Sequence, residues 1–386
     1  MPRRILNLTT VLLPVLLLVG CVTTRPLPMP DISEQQLLSG VALFGEVVST
    51  EEMPDPELLQ LNDEMRAFVA EHVDRRSTTR DRMRRLLSAM IDSGLMSLDY
   101  NDARTKTARQ TFHDRVGNCI SFTSMFVALA READLNVTFQ TVDVPPIWYS
   151  DSDLVILNNH VNALVNYSFG SRVVVDFNVT DLKGDYDTRE VSDAYALALY
   201  YNNIAMDALR ANDYRKSFRL LKKSIETYPE IAANWANLGV VYSRKGVADY
   251  AISAYRVALS IDKDHRQSLA NLAALYRSVG DDTTADWYGQ QIRRYRNQNP
   301  YFHYYRAVDA YNDGDLENAR LLLERAMRLK DTEHKFYKLQ GLIAERQGDP
   351  EQAFESFRRG RELAVYSDAR SIYDQKIGLL SDGQLQ

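Results

Sequence analysis

Cysteine is almost absent from this chain. Its 386 residues include two, Cys21 and Cys119, and only six histidines. Too few His and Cys residues cluster to hold zinc, so no metal site is expected. A Gly-rich phosphate loop is also lacking, and no cofactor is implied. There is no basic surplus: 46 Lys and Arg against 52 Asp and Glu leave a net charge of −6. That balance argues against a nucleic-acid partner. Only one long apolar run occurs, over residues 5–19, so the chain beyond it reads as soluble and long enough for two domains.

The N-terminus does have an order. Arg3 and Arg4 precede the apolar run, which Asn7 and Pro14 interrupt and which is short for a membrane span. This is the layout of an export signal, to be set aside from fold reasoning. Leu18-Val19-Gly20-Cys21 resembles the bacterial lipobox, in which acyl chains on the cysteine replace a peptide anchor. The resemblance implies a signal peptide over residues 1–20 and a membrane anchor through lipidated Cys21. In such lipoproteins an Asp after the cysteine retains the protein at the inner membrane, and here Val22 stands there. The implied location is a bacterial outer membrane, facing the periplasm. Residues 21–35, rich in Pro and Thr, read as a tether. With Cys21 acylated, Cys119 has no partner. A leftover thiol in an exported chain is reactive, bonded to another chain, or a buried small hydrophobe.

The second half repeats itself. Ala205, Gly239, Ala273, Ala307 and Gly341 are spaced by 34 residues, and so are Ser217, Ala251, Ala285, Ala319 and Ala353. Small residues there let paired helices approach, and each pair leaves an apolar face that only the next covers. Trp235-Ala-Asn-Leu-Gly239 with Tyr242, then Asp249-Tyr-Ala-Ile252, resembles the tetratricopeptide (TPR) pattern. The resemblance implies an all-α TPR solenoid of five repeats over 198–366, with a capping helix and tail over 367–386. It also implies a concave groove for a protein or peptide partner. Its lining would include Asn202 and Met206, then Tyr301, Tyr304 and Tyr311, then Lys335 and Lys338. The aromatic fourth repeat, Tyr301-Phe-His-Tyr-Tyr305, reads either as a binding hot spot or as inter-repeat core. Asn203, Asn237 and Asn271 recur at the same period.

The first half, residues 36–195, reads as helices followed by strands. Apolar spacing predicts helices over Asp55–Val73 and Thr78–Ile91, the second stopped by Gly94. Gly117-Asn118 then breaks the chain and Cys119 opens a helix with Phe122, Met125, Phe126 and Leu129 on its apolar positions. A helix N-terminus offers free N–H groups and partial positive charge, which favour a thiolate and an oxyanion. Asn136–Val142, His160–Tyr167 and Arg172–Asn178 alternate as strands.

Cysteine at a helix start, His on a strand and Asp on the next resemble the transglutaminase-like superfamily of papain-type folds. The likeness rests on GNC, NNHV and VVDF within residues 100–180 and implies an α+β domain. It makes Cys119 the nucleophile, His160 its base and acid, and Asp176 the group that orients the imidazole. Asn118 and Gln140 are candidate oxyanion donors, and His113 is a competing base. Val161 and Val175 stand where many relatives carry aromatics, so substrate preference does not transfer. Two functions follow: a cysteine hydrolase or acyl transferase acting on amide or peptide bonds, with the array recruiting a partner or substrate, or a non-catalytic TPR scaffold with an inactive domain.

Overall fold

A computed structural model describes residues 31–95, 99–100, 104–143, 147–148, 155–156, 159–167, 171–177, 188–364 and 367–381. Cys21, the signal segment and most of the tether lie outside the described residues, as does Asn178. None of the described helices is long and apolar enough to cross a membrane.

The helix expected over Asp55–Val73 is shorter. It runs Asp63–His72 and starts where the Asn62 side chain accepts from Met65 N–H. Pro54 and Pro56 precede it, and Glu57 has a φ of 53°. Proline supplies no N–H and positive φ breaks helical continuity, so the chain turns here instead. The next helix, Thr79–Asp92, is capped by Thr78 and ends before Gly94 at φ 72°. Helix Ala108–Asp114 opens with a Thr107–Gln110 capping box and closes on Arg115 in the left-handed region. Two residues of extended chain then lead to Asn118, which caps helix Cys119–Glu132. Every residue from Ile120 to Ala130 is buried, which is the signature of a helix with packing on all sides.

The sheet has four antiparallel strands: β1 (Asn136–Asp143), β2 (Asn159–Asn166), β3 (Arg172–Val175) and β4 (Thr188–Val191), in the order β3-β2-β1-β4. Val137, Phe139, Val161, Ala163, Val165 and Val175 join the core with the buried helix. Thr123 Oγ1 ties that helix to the Val161 carbonyl at 3.1 Å. Residues of the opposite parity, Gln140, His160 and Asn162, share the other face. β3 ends at Val175, earlier than the alternation suggests, and Phe177 turns onto Phe122 and Phe126 with ring centroids 6.2 and 5.9 Å away. Between β1 and β2, Ile147–Trp148 pairs antiparallel with Val155–Ile156.

Ten helices form the array. First helices are Asp193–Arg210, Ala232–Arg244, Arg266–Ser278, Pro300–Asn312 and His334–Gln347. Second helices are Tyr214–Thr227, Ala248–Ile261, Asp282–Gln298, Leu316–Leu329 and Pro350–Leu363, and Ser367–Ser381 closes the stack. Gly239 shows why the recurrent position must be small: a Cβ there would lie 2.5 Å from the Tyr255 ring. The core of the α+β domain runs without a break into the first three repeats; the fourth repeat and the first helix of the fifth build a second cluster around Tyr301, Leu323 and Phe336, and the last two helices a third around Phe357 and Tyr373.

Residues 33–50 strap the start of the array. Leu37 is fully buried and its carbonyl accepts from Tyr242 Oη at 2.6 Å. Phe44 packs edge-on against Phe218, and Lys222 Nζ donates to the Val48 carbonyl at 2.8 Å. Thr50 Oγ1 bonds Glu226 at 2.5 Å. Tyr242→Phe would leave the buried Leu37 carbonyl without its donor. The expected cost is about 1–3 kcal/mol of unfolding free energy, read by urea denaturation.

Candidate active site

Local chemistry at the start of helix Cys119–Glu132 fixes the cysteine. Asn118 Oδ1 accepts from Ser121 N–H at 3.2 Å and from Ser121 Oγ at 2.9 Å, while its Nδ2 donates to Thr105 Oγ1 at 2.8 Å. Lys106 N–H donates to Ser121 Oγ at 2.9 Å, so the segment before the preceding helix is laced to the same turn. Gly117 makes this possible, because a Cβ there would stand 2.6 Å from Ser121 Cβ. Asn118 Oδ1 is therefore the helix cap, and one N–H of its amide is committed to Thr105.

Cys119 is a free thiol of intermediate burial. Its side chain lies close enough to the His160 imidazole to act on its charge. His160 Nε2 lies 2.7 Å from both carboxylate oxygens of Asp176. The His160 side chain is 2% exposed and that of Asp176 30%. Burial alone pulls the imidazole pKa down, but the hydrogen bonds and charges of Asp176 and Cys119 outweigh it and raise His160 to about 9. The three side chains are thus contiguous. The register explains the second contact: Ala163 pairs with Val175, so Asp176 follows β3 opposite Asn162, one step from His160 on the same face.

Gln140 pairs in register with Asn162 across β1 and β2 and is buried, with Oε1 lacking a partner. Asn162, which the sequence reading passed over, donates to Asp176 Oδ2 at 3.4 Å. An asparagine in an alternating strand carries no local signal, and only the register reveals its neighbour. His113 has a 79% exposed side chain with Asp114 as its ion-pair neighbour at 3.5 Å. The imidazole that the Cys119 side chain acts on is that of His160.

The proposed groove is only partly open. Tyr301 belongs to the inter-repeat core, which corrects its reading as a groove residue: it is 7% exposed and its hydroxyl donates to the fully buried Glu333 at 2.8 Å. A carboxylate without solvent needs such donors, and Lys330 Nζ, 3.3 Å from the same hydroxyl, adds charge. Asn202 is buried as well. It accepts from Asn237 at 2.8 Å, and Asn237 accepts from Gln267 at 3.4 Å, forming a polar ladder along the first helices. Tyr304 is half-buried against Phe336, and Tyr311 lies under the Arg346 guanidinium at 3.9 Å. Met206, Lys335 and Lys338 are half-buried.

Residues 66–145 match the family model described as the transglutaminase-like superfamily. The match includes Cys119 and stops short of His160 and Asp176. Among solved structures, the chain is similar to MamA from Desulfovibrio magneticus RS-1, at 19% identity over 46% of this chain and 98% of that one, with a TM-score of 0.25. It is similar to YrrB, a TPR protein with an unusual peptide-binding site, at 15% identity over 46% and 92%, TM-score 0.24. BtubC from P. vanneervenii is similar at 18% over 44% and 80%, TM-score 0.25. No curated protein gives a significant match. The chain carries a transglutaminase-like α+β domain followed by a TPR-like helical array.

Two outcomes are expected of this geometry. Because the folded pKa of His160 is raised from 6.5 to about 9, its contribution to stability is complete below pH 6.5 and is lost as pH rises through 9. Urea stability should therefore fall across that window more steeply in the wild type than in Asp176→Asn, which lacks the charge that raises the pKa. Gly117→Ala should cost about 1–3 kcal/mol by forcing Ser121 away, and should slow alkylation of Cys119 as its helix start shifts.

Proposed function

We propose that the chain is a lipid-anchored cysteine hydrolase or acyl transferase of a bacterial envelope, acting on amide or peptide bonds in the periplasm. Its array recruits a protein partner or the substrate itself. The observation that carries this reading is the His160 imidazole held 2.7 Å from Asp176 with the Cys119 side chain beside it. The partial exposure of Cys119 supports it over an inert buried thiol.

The chemistry follows from the charges. Asp176 favours imidazolium, and imidazolium beside Cys119 favours thiolate. The thiolate sulfur attacks the carbonyl carbon, a C–S bond forms, and the carbonyl π pair moves to oxygen. Ser121 N–H is taken by the Asn118 side chain and Phe122 N–H by the Asn118 carbonyl. The leading N–H groups of Cys119 and Ile120 are the proposed donors to that oxyanion. Collapse re-forms the carbonyl and breaks the C–N bond, and the amine leaves with a proton from His160 Nδ1. A thioester remains. Water or an incoming amine then gives its proton to Nδ1 as it attacks, and the thiolate departs. Which acceptor enters distinguishes hydrolysis from transfer.

The test is alkylation of the full chain by iodoacetamide across pH, read at Cys119 by peptide mass spectrometry. Reaction at pH 6 should approach the rate at pH 8, and His160→Ala should slow the pH 6 reaction about tenfold or more. A rate that climbs like that of a free thiol and ignores His160 would reject the enzyme and favour the scaffold.

A further inference from the structure

Asp176 is the first residue beyond β3, and its side chain is 30% exposed. The carboxylate orients the imidazole, so the groups that hold the carboxylate also set the imidazole. The neighbour across the ladder is Asn162. It lies two residues from His160 and therefore on the same face, and it is 3% exposed. Its Nδ2 donates to Asp176 Oδ2 at 3.4 Å. That oxygen also lies 2.7 Å from His160 Nε2.

The other half of the Asn162 amide is the informative part. Its Oδ1 is buried and accepts no hydrogen bond. Gln140, directly opposite on β1, leaves its own Oε1 without a partner. A buried carbonyl without a donor costs stability, and an apolar residue at a buried strand position would avoid that cost. Leu164, the next residue on the same face of β2, is apolar and buried. Asparagine at 162 is thus a poor choice for packing alone. Its remaining virtue is the N–H that it directs at the carboxylate.

We propose that Asn162 is a positioning residue that holds the Asp176 carboxylate against His160. The inference rests on the Cys119–His160–Asp176 reading above and deepens it. Asn162 touches neither substrate nor the reacting atoms. It acts through Asp176 on the charge of His160, and through His160 on the reactivity of Cys119.

The experiment compares Asn162→Leu, Asn162→Ala and wild type as full chains, with iodoacetamide alkylation read at Cys119 from pH 5 to 9 and thermal melts in parallel. Leu fills the space and removes the unmet carbonyl, whereas Ala opens a cavity. The two share only the loss of the donor. Both should slow alkylation at pH 6 about three- to tenfold and displace the pH profile upward, while Asn162→Leu melts at or above the wild-type temperature. A structural role would instead lower both melting temperatures and leave the profile in place, and that result overturns the proposal. If the wild-type profile shows no dependence on His160, the active-site reading fails and takes this inference with it. If the wild type depends on His160 and both variants keep its profile, the positioning role alone is wrong. Should one variant fail to fold, the other decides the question by the same profile.

Discussion

Burial of helix Cys119–Glu132 on every side is the constraint on which the rest depends. Its eleven residues from Ile120 to Ala130 are all buried, so the helix cannot rotate or slide without opening the core. Sheet, preceding helices and the first array helix all pack against it. A cysteine at the first turn of such a helix is held by the whole domain. The cap built from Asn118, Ser121, Thr105 and Lys106 adds local precision to that global restraint. A nucleophile must meet its base within hydrogen-bond reach, and rigid elements deliver that better than loops do.

Electrostatics at the site run against burial. An imidazole with a 2% exposed side chain would ordinarily be neutral. The Asp176 carboxylate at 2.7 Å and the Cys119 side chain reverse the preference. The sheet makes this arrangement inexpensive, since β2 and β3 are hydrogen-bonded neighbours and same-face residues on them are brought together by register alone.

Much of this architecture is legible in the sequence. The 34-residue period announces the helix pairs, and the break at Gly117-Asn118 announces the buried helix. Alternation in NHVNALVN and RVVVDF marks β2, which carries His160, and β3, which ends one residue before Asp176. Other features are legible only in three dimensions. Leu58 and Leu61 continue a helical spacing, yet Leu58 is buried in a turn and its carbonyl accepts from Ala108 N–H at 2.9 Å. Periodicity counts apolar residues and does not see the prolines that forbid the helix around them. Tyr301 and Tyr304 look alike as letters, but the hydroxyl of one meets a buried carboxylate in the next repeat. Aromatic residues serve cores and grooves equally well, so their type does not assign the role. β4 reads TREV, too short and too charged to stand out, and pairs with β1 over four residues.

The array is not an appendage joined by a linker. Its first three repeats share one core with the α+β domain, and residues 33–50 lock onto the second helix of the first repeat from the other end of the chain. The fourth repeat has a core of its own, and its first helix, Pro300–Asn312, lies against the strand Ile147–Trp148. That strand belongs to the connection between β1 and β2, and β2 carries His160. The fourth repeat therefore touches the α+β domain at that strand, in addition to the core that the first three repeats share with it.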